Sequence, residues 1–119
     1  MFRRIAAVVV ATAALVVPSL ALAGNTTGPA TRFGVVDAHK SANYSVTLRG
    51  GENATILVKG DGHADLDCYL EDENGNVVAR DIDSTDSCLL SMTPKWTGQF
   101  RVEVRNMGKS SNRYLITTN

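Results

Sequence analysis

The sequence holds little of what most enzyme chemistry requires. Histidine occurs only at His39 and His63, and both fall in stretches that read as loops. A catalytic triad needs a nucleophile, a base and an orienting acid brought together, and no G-x-S-x-G elbow marks a nucleophilic serine. No catalytic residue is assigned, and the chain is expected not to be an enzyme. Two separated histidines without a Cys/His cluster make no zinc site. Aromatic residues are 6% of the chain, and 12 Lys+Arg are balanced by 12 Asp+Glu. Nucleic-acid binding rests on cationic contacts to phosphate and on stacking aromatics, so no nucleic-acid partner is expected. No stretch carries a sustained helical period.

Long hydrophobic runs are also missing, with one short exception. Arg3 and Arg4 precede an apolar stretch from Ile5 to Val17 interrupted by Thr12, and Pro18-Ser19 ends it. That stretch is well short of the ~20 residues needed to span a bilayer. Ala21-Leu22-Ala23 follows as a small-residue cleavage site. A positive start, a short apolar core and an A-x-A site are the marks of a secretory signal peptide. Residues 1–23 are therefore read as a leader for the general secretory route, with a periplasmic or secreted destination. No membrane anchor is expected after its removal. Loss of Arg3 and Arg4 leaves the remainder acidic by two charges. Residues 24–32, rich in Gly, Asn, Thr and Pro, read as a flexible lead-in, and residues 33–119 as one domain.

Within that domain the hydrophobic period is two, which is the signature of half-buried strands. Tyr44, Val46 and Leu48 alternate with polar residues, as do Leu66, Cys68 and Leu70, Cys88, Leu90 and Met92, and Phe100, Val102 and Val104. Ala54, Ile56 and Val58 form another such set, and Val77–Arg80 and Arg113–Thr118 complete seven strands. Asn74-Gly75 between two extended runs predicts a hairpin turn with positive φ at both central residues. Short, regularly spaced strands with turn signals predict an all-β fold, a jelly-roll-like antiparallel sandwich of about seven or eight strands.

Cys68 and Cys88 are the only cysteines. An even pair in an oxidising compartment predicts a disulfide, and each lies on the apolar face of its strand, on strands expected to be neighbours. Free buried thiols or a redox pair are the alternatives, and no C-x-x-C spacing supports the second. Charge is segregated: residues 61–86 are acidic apart from Arg80, and residues 95–113 basic apart from Glu103. Such segments read either as faces of adjacent strands that attract one another or as a cation site or polar partner surface.

Asp65 and Asp67 project to one face of a strand, with Asp61 just upstream. Together they could offer oxygens to Ca²⁺, a cation that takes 6–8 oxygen ligands. The competing role is structural, capping turn N–H groups or pairing with Arg101 and Arg105. Tyr69, Trp96 and Tyr114 are the candidate ligand-contact aromatics. The alternative for Trp96 is a hydrophobic plug beside Pro94 over one end of the sandwich.

From about Tyr44 to Asn119 the chain resembles the bacterial pre-peptidase C-terminal domain family. The resemblance runs through Tyr44-Ser-Val-Thr-Leu-Arg-Gly-Gly-Glu52, Gly60-Asp-Gly, Asp65-Leu-Asp-Cys-Tyr-Leu70 and Asp72-Glu-Asn-Gly75. It continues through Thr93-Pro-Lys-Trp-Thr-Gly98, Phe100-Arg-Val-Glu-Val104, Asn106 and Arg113-Tyr-Leu115. The D-x-D strand, the D-x-N-G turn and T-P-x-x-T-G are its most specific parts. It implies a jelly-roll sandwich that usually sits behind a secreted peptidase and aids secretion, stability or attachment to a polymer. Some collagenase-attached relatives bind collagen and calcium. Cys68 stands where many members carry an aliphatic residue, which implies a disulfide peculiar to a subgroup. The sequence in hand contains no peptidase. The expected function is a non-catalytic accessory or binding module that contacts extracellular or envelope polysaccharide or protein. The alternative is a purely structural, stabilising module with a loop Ca²⁺ site; no other cofactor is expected.

Overall fold

The computed structural model describes residues 24–119. The expected signal peptide, residues 1–23, lies outside the described residues. Among the described residues the regular elements are eight strands, and no helix is long and apolar enough to cross a membrane.

The strands are β1 (Ala30–Val36), β2 (Ser41–Leu48), β3 (Ala54–Gly60), β4 (Leu66–Glu71), β5 (Val77–Asp81), β6 (Ser87–Met92), β7 (Gly98–Asn106) and β8 (Asn112–Thr118). They form two four-stranded antiparallel sheets, ordered β1-β8-β3-β6 and β2-β7-β4-β5. Each of the first three strands hands the chain to the opposite sheet, which is the winding of a jelly roll. The period-two residues do what their spacing predicts. Leu48, Ile56, Val58, Leu66, Leu70, Leu90, Val102 and Val104 meet in one core between the sheets.

Seven strands fall where the alternation places them, and β1 is the addition. Its register on β8 pairs Phe33 with Leu115 and Gly34 with Tyr114. Tyr114 is buried, so Gly34 faces inward and Phe33 outward. The apolar residues of β1 thus point to solvent, Phe33 86% and Val35 61% exposed. The lead-in boundary also shifts. Ala30 to Arg32 belong to β1, and the preceding residues are hydrogen-bonded to the domain. Asn25 N–H donates to the Asn119 carbonyl (3.0 Å), Thr26 N–H to Thr47 (2.9 Å), and Arg49 N–H to Gly24 (2.8 Å).

The β4–β5 turn differs from the expected two-residue hairpin. Gly75 has φ 83°, but Asn74 is not among the positive-φ residues of the described chain. Asp72 closes a longer loop instead, its Oδ1 accepting from the N–H groups of Asn74 and Asn76, both at 2.9 Å. An aspartate bonding backbone two residues on competes with the tight turn. The Asn76 N–H bond, first among its causes, holds the Asp72 carboxyl below the usual carboxylate range.

Cys68 and Cys88 form a disulfide with Cα atoms 6.1 Å apart, inside the usual range. The sequence reading places them on neighbouring strands, and in the structure the two strands are not neighbours in one sheet. β4 and β6 lie in different sheets, and the bridge crosses the core.

Candidate functional site

The connections divide between two ends of the sandwich. One end carries the β2–β3, β4–β5 and β6–β7 loops; the other carries β1–β2, β3–β4, β5–β6 and β7–β8. The first end holds Trp96, and the second Asp61, Asp65 and Asp67.

Trp96 sits in the β6–β7 loop and is 73% exposed, whereas Pro94 beside it is buried. Trp96 is therefore not a plug over the end of the sandwich. The loop is fixed through its backbone. Gly51 N–H donates to the Pro94 carbonyl (2.7 Å), and Gly50 N–H to Thr97 Oγ1 (3.0 Å). A Cβ on Gly50 would stand 2.4 Å from the Trp96 Cα, so the close approach of the two loops requires glycine. Gln99 N–H donates to Glu73 Oε2 (3.3 Å) and joins the third loop. Between these loops lies a cleft of about 360 Å³ walled by Val78, Met92, Pro94, Trp96 and Phe100, with Glu73 and Gln99 among its polar groups. Small-ligand sites are concave, mostly apolar and carry a few polar groups, and this cleft has that composition. A larger cleft of about 480 Å³ opens along the β1 and β2 edges. None of the exposed large apolar side chains lines it.

Tyr69 lies elsewhere. It is on the outer face of the β2-β7-β4-β5 sheet, paired with Glu103 and Arg80. The Arg105 guanidinium stacks 4.7 Å above its ring. The structure does not bring Tyr69 and Trp96 into one site. Tyr114 is removed from the ligand-contact set altogether: it is buried, and its hydroxyl shares a hydrogen bond with that of Tyr44. Burial, then that bond, pushes its pKa upward.

On that outer face one ion pair joins β7 to β4 and a second lies within β7. Arg101 pairs with Glu71, and Arg105 donates from Nε and Nη2 to Glu103 Oε2, both at 3.1 Å. Attraction between adjacent strand faces therefore holds for Arg101 and Glu71, whereas Arg105 pairs within its own strand.

Asp61, Asp65 and Asp67 do not converge. Asp61 Oδ2 accepts from Arg113 N–H (3.0 Å) and Oδ1 from His63 N–H (3.1 Å). These bonds, that of Arg113 foremost, lower its pKa. It is a turn cap. Asp65 and Asp67 each keep one buried carboxylate oxygen, Oδ1, with no hydrogen-bond partner. Burial raises the pKa of both; Asp83 adds to the rise at Asp65, and Asp65, Asp81 and Asp83 add to that at Asp67, against Arg105. Among the described residues no three carboxylate, imidazole or thiol groups are gathered where they could hold one metal ion together.

His63 Nδ1 contacts Asp61 Oδ1 at 3.0 Å, and the nearby Ser110 hydroxyl donates to the His63 carbonyl rather than to its imidazole. Two buried asparagines order the loops of this end, and the sequence offers no sign of their role. Asn106 Nδ2 donates to the carbonyls of Val36 (3.0 Å) and Ser110 (2.8 Å). Asn112 accepts from Asp61 N–H (3.0 Å) and donates to the Ala64 carbonyl (2.9 Å).

No protein-family model matches this chain, and no curated protein matches it. Solved structures share its fold. One is the pre-peptidase C-terminal domain of collagenase from Bacillus anthracis, at 15% identity and TM-score 0.60, covering 76% of this chain and 88% of that one. Another is a periplasmic inhibitor of g-type lysozyme from Aeromonas hydrophila, at 14% identity and TM-score 0.58, covering 87% and 91%. A third is the Yersinia pseudotuberculosis-derived mitogen, at 12% identity and TM-score 0.58, covering 77% and 85%. At these identities the likeness is one of fold. The disulfide is compatible with export.

Proposed function

We propose that this chain is an exported, non-catalytic binding module of the pre-peptidase C-terminal type, which holds extracellular or envelope polysaccharide in the Trp96 cleft. The observation that carries this reading is an indole 73% exposed on a loop already fixed by hydrogen bonds. An ordered aromatic loses little conformational freedom on binding. Its flat apolar face suits the apolar side of a sugar ring, while Gln99 and Glu73 offer groups to the hydroxyls. Pull-down on insoluble envelope polysaccharide tests it. Trp96→Ala should reduce retention about tenfold or more, since aromatic anchors dominate such contacts. Exposed substitutions shift stability by roughly 0.5 kcal/mol or less, so the melting temperature should hardly move. Undiminished retention by the variant would remove the cleft from the proposal. Failure of the unmodified domain to be retained would leave the structural, stabilising role.

A second reading is contact with a protein through the same cleft. The lysozyme inhibitor favours it, since a domain of this fold there acts on another protein. Retention on immobilised envelope protein but not on polysaccharide would select it.

A further inference from the structure

The side of the sandwich between the β1 and β2 edges carries a cation that the fold does not use. Arg32 pairs with Ile116 in the β1–β8 register. Ile116 is buried, so Arg32 stands on the inner face of its sheet, where a sandwich ordinarily places apolar side chains. Among the described residues the Arg32 side chain has no hydrogen-bond or ion-pair partner. It lines the cleft of about 480 Å³ that reaches the core residues Val102 and Ile116, beside half-buried Val46. No Asp or Glu lines this cleft. Its volume is within the range of small-molecule sites. The facing wall is the edge of β2. The Asn106 N–H donates to the Lys40 carbonyl (2.9 Å) just before that strand, so the even-numbered residues of β2 bond to β7. Backbone direction alternates along a strand. The N–H groups of Asn43 and Ser45, both of which line the cleft, therefore point to the open edge. Thr47 is next in that series, and its carbonyl takes the Thr26 N–H from outside the sheet (2.9 Å).

We propose that this cleft binds a small organic carboxylate with an apolar body, anchored by Arg32. A guanidinium carries donors in a fixed fork that matches the two oxygens of a carboxylate. The open N–H groups of β2 add donors, and no acidic group in the lining repels the anion. Val46, Val102 and Ile116 would cover the apolar body, which a bare inorganic anion does not have. A charge on an edge strand can also serve to prevent edge-to-edge pairing. That role needs Arg32 but neither the apolar floor nor a lining without acids. The site is independent of the Trp96 cleft and stands or falls separately from it.

The test uses phenylacetate, 2-phenylethanol, glucuronate and inorganic phosphate as probes of the disulfide-bonded protein. Binding is followed by backbone amide shifts. Phenylacetate should move the amides of Arg32, Asn43 and Ser45 saturably. 2-Phenylethanol keeps the body without the charge and should bind about tenfold or more weakly, the scale of a lost charge-assisted hydrogen bond. Arg32→Gln should weaken phenylacetate by about the same factor. Arg32 is exposed, so the variant should keep its fold. Arg32→Lys should fall between the two, because an ammonium keeps the charge and loses the fork. Lys109→Gln, at an exposed cation of the β7–β8 loop, should change binding less than about twofold. Trp96→Ala should leave it unchanged. Equal binding of 2-phenylethanol, or indifference to Arg32→Gln, would mean that the charge plays no part and overturn the proposal. Tighter binding of phosphate would mean diffuse anion attraction, and tighter binding of glucuronate a sugar acid; either would overturn the apolar body. No saturable shift from any probe would leave Arg32 as the guard of an open edge and overturn the proposal equally.

Discussion

At Asp67, burial and charge oppose each other. Burial first, then the Asp65 carboxylate, raises its pKa in the folded chain, above a value near 3.9 in the unfolded one. Between those two values the folded state binds more protons, so stability falls as pH rises through that window. Above it the charged carboxylate is a constant liability. Asp67→Asn should therefore melt higher than the parent at pH 7 by a few degrees, given about 4–8 °C per kcal/mol for a domain of this size. The gap should close as pH falls below about 4. Thermal melts of both proteins between pH 3 and 8 measure this, and a variant less stable at pH 7 would show that Asp67 is compensated after all. The sequence marks Asp65 and Asp67 as a pair on one face. It does not show that Arg105 is turned to Glu103, because that choice lies among side chains of one sheet face. Trp96 was legible as a candidate aromatic, but Tyr114 was not separable from it, since only the sheet pairing puts Tyr114 in the core.

At the scale of the element, β1 shows where strand reading stops. The seven other strands advertise themselves because their apolar residues face the core. In β1 the alternation is inverted, and the inward position opposite Tyr114 is a glycine. That glycine has a physical reason. A Cβ on Gly34 would fall 2.5 Å from the Tyr114 ring and 2.8 Å from the Tyr44 hydroxyl. The two tyrosines meet edge to face, with ring centres 6.4 Å apart, and occupy the space a side chain would use. Gly34→Ala should cost about 1–3 kcal/mol, the range for overpacking a filled interior. Denaturant melts report the loss. Hydrogen exchange should place it in β1 and β8, and unchanged protection there would mean that the tyrosine pair yields without cost. The β4–β5 loop teaches the same lesson from the other side. Asn74-Gly75 was legible as a turn, but Asp72 takes the backbone donors that a two-residue hairpin would have left unbonded.

At the scale of the whole molecule, the two sides of the sandwich are closed differently. At the β5/β6 side, Asp81 Oδ2 accepts from Leu89 N–H (2.9 Å), and the Cys68–Cys88 bridge joins the sheets. At the β1/β2 side a cleft reaches core residues Val102 and Ile116. The pairing of the cysteines was legible from their number and the expected destination. Their placement in facing sheets was not, because period two assigns a face to each strand but not a sheet. The bridge spans 20 residues, a loop whose closure stabilises by ~3 kcal/mol in the chain-entropy model, a large share of the roughly 5–15 kcal/mol of a small domain. Replacing both cysteines with alanine should lower stability by about that amount, with the first loss of amide protection in β4 and β6. Both sulfur-bearing residues are buried, at 0% and 1% exposure. A thiol reductant should therefore reach the bond only when the sandwich opens, and its rate should rise with denaturant in step with unfolding. Alkylation of the unreduced, denatured protein should label no thiol. Reduction at a rate set by reductant concentration alone, under native conditions, would show that the β5/β6 side opens without the rest and that the bridge does not hold the sheets as one unit.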